Sequence, residues 1–346
     1  MAAKKISIAI TGSTSPKGKA LKEALPSSRL QSGQVKFLDD IDLAGTLTEY
    51  DNGAEMIAGL TLEAVNSADL VFLCGDAEQT EECLRGLGKE GAVAIVLGCV
   101  PGSTGNRLPT TALLPRGRQP TSTLALPDSL AIGLATVLDA CFQAGELEYA
   151  LSTNIVPVSE LGNAGSEALH RQTVELLNFS AVPEDLFGRQ LIFNIHPAFA
   201  QPTPAPPGGG CSVYEKAVEA QVRHLISRPE LPLLARAALA PIFFSTIISL
   251  FVKFEDDPSE ESLRSALTRY RSPSEEGPLF QLFDEADDPA DIPSPLDSSQ
   301  SRLFQVGRLQ AVSGVTGAFW MWISYDNILR GGVLDAIALA EELLPD

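Results

Sequence analysis

Short continuous apolar runs alternate with amphipathic stretches through the N-terminal part of the chain. "KISIAITGS" (5–13) reads as a strand ending in a glycine turn, and "KGKALKEAL" (17–25) as the helix behind it. "QVKFLDD" (34–40) is a second strand, closing on two acids. "ADLVFLCG" (68–75) and "GAVAIVLG" (91–98) are two more, with a helical "EQTEECLRGLGK" (78–89) between them. Strands that are apolar along their whole length are buried on both faces, so the alternation predicts a doubly wound parallel sheet.

Past residue 130 the pattern changes. An apolar helix (130–142) leads into "ELEYALSTNIVPVS" (146–159), whose alternation suits a sheet with one solvated face, and then into an amphipathic helix, "GSEALHRQTVELLN" (165–178). Helices near 213–226 and 259–269 flank a strand near 240–254. "RLFQVGRLQAV" (302–312) and "GAFWMWISYDN" (317–327) predict a closing hairpin before a last helix, 332–344. The second region therefore reads as α+β with a mixed sheet. Its most lipid-like segment, "AALAPIFFSTIISLFVKF" (237–254), is shorter than the ~20 apolar residues of a spanning helix, holds Pro241 and follows Arg236. Its β-branched and aromatic content predicts a buried strand.

The chain has 346 residues, enough for two cores, and 44 acids against 25 lysines and arginines give a net charge of −19. That charge repels phosphate backbones and anionic lipid, so neither nucleic acid nor membrane is expected as a partner. Cys74, Cys83, Cys99, Cys141 and Cys211 are odd in number and lack metal-ligand spacing. They read as reduced core thiols of a cytoplasmic protein without a metal. The apolar run at the N-terminus is too short for a signal peptide.

Two segments carry candidate chemistry. "TGSTSPKG" (11–18) joins a strand to a helix, the setting of a dinucleotide-binding turn, with Ser13, Thr14 and Ser15 as the residues facing a cofactor. Gly12 permits the turn and Gly18 the helix packing. Ser15 stands where a glycine would let the backbone approach a pyrophosphate, and Pro16 removes a donor. The turn thus reads equally as a weak nucleotide site or as one that keeps only the packing. Asp39 can take ribose hydroxyls, and with Asp40 it opposes a 2′-phosphate, which favours NAD over NADP. In the second segment, "LALPDSLAIGL" (124–134), Ser129 opens an apolar helix, where a nucleophile would meet the positive end of the helix dipole.

The whole chain resembles the aspartate-semialdehyde dehydrogenase family. "VSELGNAGSEALHRQTVELLN" (158–178) is similar to its Ser-Gly-Ala-Gly-Lys-x-Gly segment and following helix, and "FGRQLIFNIHP" (187–197) resembles its next strand. "VGRLQ" (306–310) and "WMWISYDNILRGG" (320–332) resemble its closing elements. The resemblance implies a Rossmann-like NAD(P)-binding domain, 1–127 completed by 328–346, and a dimerisation and catalytic-type domain, 128–327. It adds Gly162 and Asn327 to the cofactor-binding set. It also implies a homodimer, with a small-molecule ligand in the cleft between the domains.

The family reduces β-aspartyl phosphate with NADP, through a cysteine thiolate, a proton-moving histidine and basic anion clamps. Its Pro-Asn-Cys turn falls here on Pro127-Asp128-Ser129, and its Gly-His-Ser on Ser245-Thr246-Ile247. Ser129 thus stands at the nucleophile position and Thr246 at the base position. One clamp falls on Leu239 and the lysine of the glycine segment on Asn163. Arg223 matches a basic family position, Arg107 and Arg116 are further basic candidates, and His196 is a remote substitute for the base. The chain is similar to the Usg-like members that lack the cysteine. The expectation is a catalytically degenerate homologue with a binding or structural role. The alternatives are an active oxidoreductase of amino-acid biosynthesis and a regulatory partner of the active enzyme.

Overall fold

A computed structural model describes residues 6–30, 32–88, 92–97, 123–197, 211–271, 277–284 and 292–344. Arg107, Arg116 and Cys99 lie outside them. The chain divides into two compact units, Met1–Pro127 with Gly332–Asp346, and Asp128–Gly331.

The first unit runs β1 (Ile6–Thr11), α1 (Pro16–Ala24), β2 (Ser32–Asp39), β3 (Leu47–Tyr50), β4 (Gly53–Gly59), α2 (Leu62–Asn66), β5 (Leu70–Leu73), α3 (Ala77–Gly86), β6 (Val93–Val96) and β7 (Thr123–Ala125). Its sheet among the described residues has the order β3-β4-β2-β1-β5-β6-β7, parallel throughout except where β3 opposes β4. Ile8, Ala9, Ile10 and all of Leu70 to Leu73 are fully buried, as continuous apolar strands require. The β3–β4 hairpin departs from the pattern expected above. Asp51 and Asn52 turn it with φ of 46° and 61°, a type I′ geometry, while Leu47 and Met56 on its strands are solvated.

The second unit runs α4 (Ser129–Phe142), β8 (Leu147–Val156), α5 (Gly162–Leu177), α6 (Cys211–Leu225), β9 (Leu233–Leu239), β10 (Thr246–Phe254), α7 (Glu260–Arg269), β11 (Phe280–Leu282), α8 (Pro295–Ser298), β12 (Phe304–Ala311) and β13 (Ala318–Tyr325). The sheet order is β11-β12-β13-β10-β8-β9, with β8–β9 and β11–β12 parallel and the rest antiparallel. α4 is apolar on every side and buried from Ser129 to Leu138, so it is a central helix of this unit. The last helix, α9 (Leu334–Leu343), returns to the first unit.

Two expected strands are corrected. The segment near 240–254 is cut: β9 stops at Leu239, and β10 starts at Thr246 on the other side of β8. Pro241 has no N–H for a ladder and Ser245 has a φ of 74°, so the chain reverses between them. Residues 187–197 form turns with a single bridge, His196 to Leu239. There the buried Gln172 side chain replaces a neighbouring strand. Its Oε1 accepts from Leu191 N (2.7 Å) and Ile192 N (3.1 Å), and its Nε2 donates to the carbonyls of Pro183 and Arg189.

Gly12 has a φ of 58°, and a Cβ there would overlap the backbone of Gly75. Gly45 has a φ of 87° with open space around it. Gly12→Ala should therefore cost at least about 3 kcal/mol in urea unfolding, and Gly45→Ala only the left-handed penalty of about 1 kcal/mol. Equal costs would contradict the close β1–β5 approach.

Candidate functional site

At the glycine turn of the first unit, Ser15 caps α1 and its Oγ accepts from Gly18 N at 3.0 Å. A Cβ on Gly18 would overlap the carbonyl of Gly12, so this glycine keeps its packing role. Asp39 is buried and turned onto the same loop. Its Oδ2 accepts from Thr14 N at 2.7 Å and from Ser13 Oγ at 3.3 Å. One backbone donor of the turn is thereby committed to a carboxylate of the chain itself. Asp40 is exposed and accepts from Gln79 Nε2 at 2.5 Å.

In the second unit the sequence places Asp128 as the N-cap of α4. Its Oδ1 accepts from Leu130 N and from Tyr214 Oη, both at 2.9 Å, and its own N–H donates to Gln221 Oε1 at 2.8 Å. Ser129, the first residue of the helix, is 2% exposed. Its Oγ donates to Glu160 Oε1 at 2.5 Å, and its carbonyl accepts from Tyr325 Oη at 3.0 Å. Asn327 is wholly buried. Its Nδ2 donates to the same Glu160 oxygen at 2.5 Å and to Ser159 Oγ at 3.1 Å, while its Oδ1 accepts from Ser245 N at 2.9 Å.

Glycines make room for this cluster. A Cβ on Gly133 would strike the ring and hydroxyl of Tyr325, and one on Gly331 would strike Ser129 Cβ. Gly162 has a φ of 67°, which lets the short turn after β8 bend into α5. Thr246 is wholly buried and pairs with Tyr325 across β10 and β13.

The electrostatics are acidic. Burial first, and then the Asp128 and Glu160 carboxylates, push the Tyr214 phenol well above its ordinary range. Burial and Glu160 do the same at Tyr325. Both remain un-ionised donors near neutral pH. Among the described residues no group of His, Cys, Asp and Glu could hold a metal ion.

The other sequence candidates lie elsewhere in the second unit's bonding. Arg223 donates to the Leu231 and Leu233 carbonyls, each at 2.9 Å, and so anchors the chain entering β9. Leu239 ends β9 in the core, and Asn163 is exposed. His170 and His224 are exposed, and the buried His196 places its Nε2 3.2 Å from the Gln190 carbonyl. Burial raises the Cys74 and Cys141 thiols to about 12 and Cys83 to about 11, so these are inert core thiols. Sequence reading missed Glu160. The available signal was its place in "SELGNAG" (159–165), where the Ser-Gly-Ala-Gly pattern has its first glycine.

A doubly wound sheet unit and a mixed-sheet unit with a capped central helix define the semialdehyde dehydrogenase class of fold. Residues 138–330 match the family profile described as semialdehyde dehydrogenase, dimerisation domain, and the chain belongs to that family. It is 27% identical to a USG-1 protein homolog from Azotobacter vinelandii, over 98% of each chain. Its fold is similar to that of a probable aspartate-semialdehyde dehydrogenase from Pseudomonas aeruginosa, with a TM-score of 0.83 and 23% identity over 99% of each chain. It is also similar to the aspartate semialdehyde dehydrogenase with NADP from Candida albicans, with a TM-score of 0.68 and 14% identity over 98% of each chain.

Ser245, expected from the resemblance at a glycine position, has a glycine-like φ of 74°. Its buried Oγ finds no partner among the described residues. Ser245→Gly relieves both costs against a smaller entropic loss, so it should stabilise the protein by about 1 kcal/mol in urea unfolding. Destabilisation would show that the hydroxyl has a partner.

Proposed function

We propose that this protein is a catalytically degenerate aspartate-semialdehyde dehydrogenase homologue that acts as a dimeric binding or structural protein. One observation carries the reading: the hydroxyl at the nucleophile position, Ser129, donates to a carboxylate that also takes a bond from Asn327. A serine needs an adjacent base that is free to take its proton as it attacks. Glu160 Oε1 holds Asn327 Nδ2 as well as the serine hydroxyl, so the serine has no base to itself. Thr246 at the base position cannot move a proton near neutral pH, Leu239 cannot hold an anion, and Arg223 is spent on carbonyls. Groups that act as a unit are lost as a unit. The expected result is no aspartate-semialdehyde turnover, with NAD or NADP, by the unmodified protein, by Ser129→Cys or by Ser129→Cys/Thr246→His. NADP-dependent turnover by the unmodified protein would overturn the reading and favour the active oxidoreductase.

The turn of Gly12, Ser13, Thr14, Ser15 and Gly18 fits a dinucleotide poorly, because Pro16 lacks an N–H and Thr14 N is already bonded. Asp39 and Asp40 would further repel a 2′-phosphate. Any binding should be weak, with NAD ahead of NADP in calorimetry, and micromolar NADP binding with weaker NAD would refute this.

For assembly, Leu234, Leu151, Phe251 and Trp320 stand side by side across β9, β8, β10 and β13. Leu234, Leu151 and Trp320 are each about 40% exposed, and Phe251 packs on Tyr149 and Trp320 with ring centroids 5.9 and 5.6 Å apart. An apolar row across four strands is the patch a second copy would cover. Leu151→Lys should convert a dimer to a monomer in sedimentation at micromolar concentration. A monomeric unmodified protein would contradict the proposal, and co-purification with an active dehydrogenase would favour the regulatory partner.

A further inference from the structure

The mixed sheet of the second unit ends unequally. Among the described residues β11 closes one side with three residues, whereas β9 closes the other with seven. Six of those seven, in LLARAAL, are apolar, and Arg236 is the single charge. An apolar end strand with open N–H and C=O groups is a template for a further strand. The backbone at Pro232 and at Ala240 bonds to β8, so the alternation along the strand turns Leu233, Ala235, Ala237 and Leu239 outward.

Helix α6 covers this outward edge with side chains. Glu215, Glu219 and Arg223 recur every fourth residue and so form one stripe. Glu215 Oε1 accepts from Ala237 N and Glu219 Oε1 from Ala235 N, both at 3.0 Å. Arg223 donates to the carbonyls of Leu233 and Leu231, each at 2.9 Å. The spacings match: four residues of helix advance about 6 Å and two of strand about 6.6 Å, so successive members of the stripe meet successive outward residues. Both glutamates are buried, and each also faces an arginine. Glu215 Oε2 lies 2.6 Å from Arg236 Nη1, and Glu219 Oε2 lies 3.7 Å from Arg223 Nη2. His196 completes the row by exchanging both backbone bonds with Leu239.

We propose that α6 stands in for a missing strand: its stripe locks the β9 edge, and without that lock the edge pairs with β9 of a second copy of this chain. The occupant is a second copy because two such edges, each apolar and each offering alternating donors and acceptors, are complementary in antiparallel register. The edge is distinct from the row of Leu234, Leu151, Phe251 and Trp320, which lies on the face of the same sheet. Pairing at the edge therefore adds to any association through the face, and it does not depend on whether the protein is catalytically degenerate.

Two measurements test it. In the first, Glu215→Ala/Glu219→Ala is compared with the unmodified protein by sedimentation, with circular dichroism to show that it is folded. The variant should form larger species than the unmodified protein, and their share should grow with concentration. Adding Ala235→Pro and Ala237→Pro should return it to the unmodified size, because proline at these outward positions removes the N–H groups that a new strand would use and none that bond to β8. In the second, Glu219→Ala is followed by amide hydrogen exchange. It keeps Glu215 and Arg223 in place, so it reads the lock even where the double variant does not fold. The Ala235 amide should exchange about tenfold faster than in the unmodified protein, while the Ala237 amide is unchanged. A folded double variant of unmodified size, association that survives both prolines, or an Ala235 amide no faster in Glu219→Ala would overturn the proposal.

Discussion

The bond from Ser129 to Glu160 sets the chemistry of the second unit. It places the Glu160 side chain beside the N-terminus of a helix that is buried on nearly every side and whose Leu130 N is capped by Asp128. The helix end and the carboxylate stabilise each other. Tyr325 and Gly331 pack directly on the serine that joins them. A hydroxyl in that position is an orienting donor. The same placement that would activate a thiol, by favouring its anion, is neutralised once a carboxylate stands beside it.

The first unit repeats the theme on a smaller scale. Asp39 turns its carboxylate onto the loop that joins β1 to α1 and takes the N–H of Thr14. In each unit a carboxylate of the chain accepts from a donor at the start of a helix, Asp39 from Thr14 N and Glu160 from Ser129 Oγ. Glycines shape the backbone at both turns. Gly12 and Gly18 still let strand and helix approach, Gly162 still bends the chain after β8, and Ser245 holds a left-handed conformation that suits the glycine of the family pattern. The carboxylates at both turns belong to a chain whose net charge is −19.

The parts of this arrangement visible in sequence are those governed by local pattern. β1, β5 and β6 could be read directly because each is an uninterrupted apolar run, and the helix after Asp128 because an acid caps an apolar stretch. The β3–β4 hairpin was not, since Leu47 and Met56 face solvent and leave no buried period to read. Residues 187–197 are expected as a strand from the family resemblance. The N–H groups of Leu191 and Ile192 are satisfied instead by the side chain of Gln172, a contact between segments that periodicity does not encode. Asn327 and Ser129 were named as site residues, but Glu160 was not. Its meaning lies in a pairing across the fold, and the only local trace is a glutamate where a glycine would pass without notice. Arg223 illustrates the opposite case: a basic residue in the right place in sequence is committed to two carbonyls in space.

The central claim is that Ser129 Oγ and Asn327 Nδ2 are both committed to Glu160 Oε1. A crystal structure of the unmodified protein grown in concentrated sodium acetate tests it most directly. The account predicts Glu160 Oε1 within hydrogen-bond distance of both Ser129 Oγ and Asn327 Nδ2, with no acetate between them. Density for acetate bridging Ser129 and Asn327, with the Glu160 side chain turned away, would contradict it.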